Sequence, residues 1–114
     1  IKFTVKYDKD YWWDGSHFYG MSLSKLCELA NKHDYELINL TFNNAYMIHK
    51  DKNPGFKPFS AEEAYDRFYR YVGWENFFQN NENWRYLLRY EPEESLVFLN
   101  NELKKYEGKY ELYV

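Results

Sequence analysis

The chain has 114 residues, of which 45% are hydrophobic, 23% aromatic and 29% charged, with a formal net charge of −3. That length allows one core without covalent staples and excludes two large domains, and the acidic balance disfavours bulk attraction to nucleic acid or to an anionic membrane. A single cysteine, Cys27, excludes an internal disulfide and cannot make a zinc site alone; it points to a reducing, intracellular setting, the cytoplasm before an organelle.

Taken in chain order, Phe3-Thr-Val-Lys-Tyr7 alternates β-branched and aromatic residues and predicts a short strand, which Asp8 to Asp10 interrupt. An aromatic loop, Tyr11 to Tyr19, contains Gly15 and is closed by Gly20. From Ser22 the period changes: Leu23, Leu26, Cys27 and Ala30 fall at helical spacing and predict about three turns ending near His33-Asp34. Tyr35 to Phe42 returns to strand chemistry. Asn43-Asn44 is a two-residue hairpin turn, because Asn tolerates positive φ, and Ala45 to His49 is the partner strand.

Asp51 to Pro58 is a charged Pro/Gly connection and the natural internal boundary, giving segments 1–58 and 59–114. Ser60-Ala-Glu-Glu63 is a capping box, so a helix begins there, with an apolar face through Ala61, Ala64, Tyr65, Phe68 and Val72 that Gly73 stops. Within Trp74 to Arg89, Trp84, Leu87 and Leu88 suggest a further helical piece and Asn80-Asn81 a turn. Pro92 suits a first helical turn, and Leu96, Leu99, Leu103 and Tyr106 make the face of a helix closed by Gly108. Tyr110 to Val114 is a candidate terminal strand. The fold class is therefore α+β. The strands from Phe3, Tyr35 and Ala45 are expected to form one small sheet, with the helices from Ser60 and Pro92 packed across it in a shared core.

The apolar runs are much shorter than the ~20 residues a membrane span needs, and no charged-then-apolar leader precedes them, so a soluble domain without a membrane partner is expected. The first residue is Ile1 rather than methionine, which suggests processing or excision from a longer chain. Tyr, Phe, Asn and Lys are all enriched and all have A/T-rich codons; base bias explains the aromatic excess before any stacking function does.

Candidate chemistry is sparse. His17, His33 and His49 lack metal-ligand spacing, so no metal site is expected, and Cys27 sits on an apolar helical stripe where packing is its role. Arg67, Arg70, Arg85 and Arg89 are interleaved with ten aromatic residues between Tyr65 and Tyr90, a pattern that can bind single-stranded nucleic acid. Glu75 and Glu82 dilute that charge, and a packed aromatic helix pair with an outer arginine face outweighs it. No phosphate-cradling glycine loop occurs.

The most unusual segment is Tyr11-Trp-Trp-Asp-Gly-Ser-His-Phe-Tyr-Gly20, a loop between strand and helix where open α/β folds place ligands. Trp12, Trp13, Asp14, Ser16, His17 and Tyr19 could stack on and hydrogen-bond a polar acceptor; a loop that anchors itself by burying two indoles is the plainer alternative. The run from Tyr7 through this loop to Leu26, with Leu29-Ala30, Tyr35-Glu-Leu37 and Asn44-Ala-Tyr-Met-Ile-His-Lys-Asp51, resembles the C-terminal part of FkbM-type class I methyltransferase-like proteins. Their similar pattern is a Trp-Asp-Gly-Thr loop, a Tyr/Phe-Gly-Ala-Ser-Leu helix entry, a Gly-Tyr-Glu-Leu-Val strand and an Asn-Ala-Phe-Phe-Val-Arg strand. The resemblance covers about residues 3–51. It departs at Ser16 for Thr, Met21 for Ala, Asp34 for Gly and Tyr46-Met47 for the Phe pair.

The resemblance implies the acceptor-side half of a methyltransferase sheet, with Asp14 or His17 as proton acceptor. The S-adenosylmethionine half, with its glycine-rich turn and acidic ribose ligand, has no counterpart in these residues, so no cofactor is expected to bind unless a parent chain supplies that half. A noncatalytic module buried against a protein partner, or against the parent sheet, is the alternative.

Overall fold

Lys2–Val5 forms β1, and its partner is the C-terminal strand β4, Tyr110–Tyr113, antiparallel in the register Lys2↔Tyr113 to Val5↔Tyr110. The computed structural model describes residues 1–42, 44–69, 87 and 89–114 and has an α+β fold made of two compact units. One unit contains residues 1–25 and 86–114, the other residues 26–85.

In the first unit both edges of β1 are occupied. Lys6 continues the pairing by donating its amide to the Lys109 carbonyl at 2.9 Å. On the opposite edge Thr4 bridges to Met21, the Val5 amide donates to the Gly20 carbonyl at 3.0 Å, and the Ser22 amide donates to the Phe3 carbonyl at 2.8 Å. Ser22 then starts helix α1, Leu23–Lys32: its Oγ accepts from the Phe3 amide at 3.0 Å and from the Lys25 amide at 3.3 Å. Lys25 reaches back to β4, donating to the Tyr113 hydroxyl at 2.8 Å and meeting Glu111 at 3.2 Å.

Helix α3, Pro92–Glu102, begins as its composition dictates, with Pro92 in the first turn and Glu94 Oε2 accepting from the Glu91 amide at 3.1 Å. Ser95, Leu99 and Leu103, four residues apart, are buried on one stripe. The α-helix stops at Glu102 rather than running to Gly108. A tighter 3-10 turn, Lys104–Tyr106, follows and brings Tyr106 inward. Gly108, at φ +81°, then takes the left-handed step that sends the chain into β4.

In the second unit α1 ends as expected near His33-Asp34. Asp34 holds φ +60° and its carbonyl accepts from the Lys50 amide at 2.8 Å. Strands β2, Tyr35–Thr41, and β3, Asn44–His49, form the predicted hairpin. Asn44 pairs with Thr41 and so belongs to β3 rather than to the expected Asn43-Asn44 turn, and Phe42 adopts φ +56°. A bulge between Leu37 and Asn39 inserts Ile38 into the ladder. Leu37 and Leu40 would otherwise face opposite sides of the sheet, and the extra residue lets both be buried.

After the hairpin, Asn53 Oδ1 accepts from the Gly55 and Phe56 amides, at 3.0 and 2.7 Å, and shapes the Pro/Gly connection. Phe59 bridges to Leu37, its amide donating to the Leu37 carbonyl at 2.8 Å. The Ser60 box forms as the sequence predicts: Ser60 Oγ accepts from the Glu63 amide at 3.1 Å, and Glu63 accepts from the Ser60 amide at 2.9 Å. Helix α2, Ala61–Ala64, passes into a π-helical turn, Tyr65–Tyr69, with Ala64 fully buried and Phe68 edge-on to Phe59 at 5.4 Å.

The single sheet expected from the strands at Phe3, Tyr35 and Ala45 does not form; there are two two-stranded sheets, β1-β4 and β2-β3. The reason is edge occupancy. With β4 on one side of β1 and residues 20–22 on the other, no backbone edge is left for the hairpin. Each sheet has its own helical neighbour, α3 at β4 and α2 with its π turn at β2. The expected stop at Val72-Gly73, the piece with Trp84 and Leu88, the Asn80-Asn81 turn, Arg70 and Arg85 lie outside the described residues.

Candidate functional site

The Tyr11–Gly20 loop is organised from within by its own backbone. Asp14 Oδ1 accepts from the Ser16 amide at 3.0 Å, closing a turn across Gly15, whose φ of +81° is one that a side chain would strain. Ser16 Oγ accepts from the Phe18 amide at 3.1 Å, and the Ser16 carbonyl accepts from the Trp13 indole N–H at 2.8 Å. Tyr11 spans the loop, its hydroxyl donating to the Phe18 carbonyl at 2.6 Å.

Phe18 is the pin of the assembly, with none of its surface exposed. Tyr106 stacks on it at 3.9 Å and 5°, while Tyr11, Tyr110 and Phe3 meet it edge-on at 5.6, 6.1 and 6.2 Å. Burial of one such ring contributes about 1.5–3 kcal/mol, and the edge-on geometry adds to it. The Tyr106 hydroxyl also donates to Asp14 Oδ2 and lies 2.9 Å from Ser16 Oγ, and the Lys105 ammonium is 3.5 Å from the same Asp14 oxygen.

Asp14 is thus a carboxylate with all its donors in place. The hydrogen bonds from Ser16, then that from Tyr106, hold it well below the usual carboxylate range. It stays ionised at any physiological pH and takes up a proton poorly. His17 is half-buried, and burial pushes its imidazole below its ordinary value, which keeps it neutral near pH 7. Desolvation, followed by the Asp14 charge, pushes the Tyr11 phenol up.

Five of the six residues singled out from the sequence divide into two groups, and half-buried His17 belongs to neither. Asp14 and Ser16 are brought together and tied to Tyr106. Trp12, Trp13 and Tyr19 are instead exposed, at 87%, 64% and 53%. The expectation that the loop buries two indoles is not met: Phe18 occupies the interior that an indole was expected to fill. Trp13 and Tyr19 meet edge-to-face at 5.8 Å while most of both rings remains in solvent. Phe18, Lys105 and Tyr106 complete the site and were not among the sequence candidates. Tyr106 carried only the mark of a helix-face residue, and Lys105 carried none.

Burial, then the Glu62 charge, pushes the Cys27 thiol up, so it is a poor nucleophile; it lines a shallow hollow of about 240 Å³ with Leu37 and Phe59. His49 Nδ1 accepts from the Asp51 amide at 3.2 Å and its ring meets Tyr35 edge-on. No cluster of His, Cys, Asp or Glu able to hold a metal occurs among the described residues. Arg67 lies 5.3 Å from the Phe59 and Phe68 rings, so those aromatic faces are used internally. Among the described residues no helix is long and apolar enough to cross a membrane.

No family model, curated protein or solved structure matches the chain.

Proposed function

We propose that this chain is the acceptor-side region of a methyltransferase-like protein, in which the Tyr11–Gly20 loop presents Trp12, Trp13 and Tyr19 to the molecule being modified. The observation that carries this reading is the loop's division of labour. Asp14, Ser16 and Phe18 hold it rigid from below, and the large aromatic faces remain in solvent. Of the departures from the family pattern, that at Ser16 is chemically conservative. Ser16 keeps the hydroxyl that a Thr would supply, and that hydroxyl is engaged by Phe18 and Tyr106. Asp34 stands where the pattern has Gly, at φ +60°.

In this reading His17, neutral and beside the exposed rings in sequence, is better suited than Asp14 to accept a proton. The chain does not transfer a methyl group alone, because the residues that hold S-adenosylmethionine belong to another part of the parent protein. Calorimetry of this chain with S-adenosylmethionine should give no saturable heat; tight binding would overturn the assignment. In the parent protein Trp13→Ala should raise KM for the acceptor and leave KM for S-adenosylmethionine unchanged.

A second reading, a noncatalytic module whose aromatic loop is covered by a protein partner in a reducing compartment, is favoured by the same exposure of Trp12 and Trp13. Light scattering on the chain, alone and with the parent's remaining domains, separates the two.

A further inference from the structure

We propose that Tyr106 is a positioning residue for the aromatic loop: through its hydroxyl on Asp14 and Ser16, the C-terminal segment determines how Trp13 and Tyr19 are presented. This rests on the acceptor-side reading for its purpose, but its geometry stands apart from it.

The argument follows the contacts outward. The Tyr106 ring is held by its stack on Phe18, so its hydroxyl has little freedom and meets Asp14 and Ser16 at a fixed place. Asp14 and Ser16 close the turn over Gly15, and that turn aims the Ser16 carbonyl at the Trp13 indole N–H, 2.8 Å away. Trp13 in turn sets Tyr19 through their edge-to-face contact. The line therefore runs from Tyr106 through Asp14-Gly-Ser16 and Trp13 to Tyr19, every step a contact of known geometry. Lys105 adds its charge beside Asp14 and its ammonium lies 4.5 Å from the Tyr106 ring, so two consecutive residues of one turn serve the same carboxylate. Residues 104–106 lie outside the stretch that resembles the methyltransferase-like proteins; the positioning is a device of this chain's own C-terminal segment.

The test uses Tyr106→Phe in the full chain, which keeps the ring stack and deletes only the hydroxyl. The Asp14 carboxyl, followed by carbon NMR, should titrate at a higher pH than in the unmodified chain, and the Trp13 indole N–H should exchange about five- to tenfold faster, the loss expected for one hydrogen bond. Amide protection along β1 and β4 should be unchanged, which a general loosening would not allow. Should the variant fold poorly, the unmodified chain gives the same answer: the Tyr106 ring-carbon shift should follow the Asp14 titration at the same pH. An Asp14 titration and Trp13 exchange both insensitive to the hydroxyl, or a Tyr106 shift indifferent to Asp14, would overturn the proposal. Because both readouts need neither cofactor nor acceptor, they stand or fall separately from the methyltransferase-like reading.

Discussion

Tyr106 lies flat on Phe18, ring centroids 3.9 Å apart and planes 5° from parallel, so residues near the end of the chain form the floor under a loop near its beginning. Phe18→Ala should therefore cost about 3–5 kcal/mol, the range for deleting a fully buried aromatic ring. Trp12→Ala, a larger truncation at an exposed site, should stay within about 0.5 kcal/mol. Urea denaturation of the two variants checks the contrast; equal losses would mean that Trp12 is buried in solution.

Asp14 makes the first unit sensitive to acid. Its folded-state value lies below its unfolded one, so the stability it contributes is fully present above the ordinary carboxylate range, near pH 4, and is lost as the pH falls below that. Asp14→Asn should flatten the acid limb of a stability-against-pH curve recorded by denaturant midpoint. His17 acts at higher pH in the same direction. Its neutral form is favoured in the fold, so stability declines as the pH falls below about 6.5, and His17→Gln should remove that decline.

Asp34 follows the last turn of α1 in a left-handed conformation, φ +60°, with its carboxylate near the negative end of the helix. Asp34→Gly relieves both the backbone strain and the unfavourable charge placement. It should stabilise the chain by about 1 kcal/mol, seen as a raised denaturation midpoint at unchanged m-value.

Leu99 is buried in the middle of the α3 stripe between Ser95 and Leu103. Leu99→Asp places a carboxylate there without a partner and should abolish amide protection along β1 and β4. Leu99→Met, nearly equal in volume, should cost less than about 1.5 kcal/mol.

Local chemistry made most elements legible. Ser60 with Glu63, Pro92 before an apolar run, and the alternation at Tyr35 each express a rule satisfied within a few residues, and each element appears where its residues place it. Sheet partnership was not legible in the same way. The β1 strand is too short to mark its partner, and Tyr110–Tyr113 wins it through a pairing that no local pattern encodes. The site follows the same division. Asp14 and Ser16 stand out by their place in a Trp-Asp-Gly-Ser turn, whereas Tyr106 and Lys105 join them only because the 3-10 turn after α3 tightens the chain at Leu103. An aromatic among aromatics carries no mark of which ring is buried, so nothing in the sequence sets Phe18 apart.

The register Lys2↔Tyr113 also fixes an order of events during synthesis. On a ribosome β1 must wait, unpaired on that edge, until Tyr110–Tyr113 has been made, whereas the β2-β3 hairpin can close as soon as its residues emerge. The hairpin can thus form first and shorten the effective loop that separates β1 from β4. A nascent chain stalled before Tyr110 would carry a formed β2-β3 hairpin and a β1 edge still open to a chaperone.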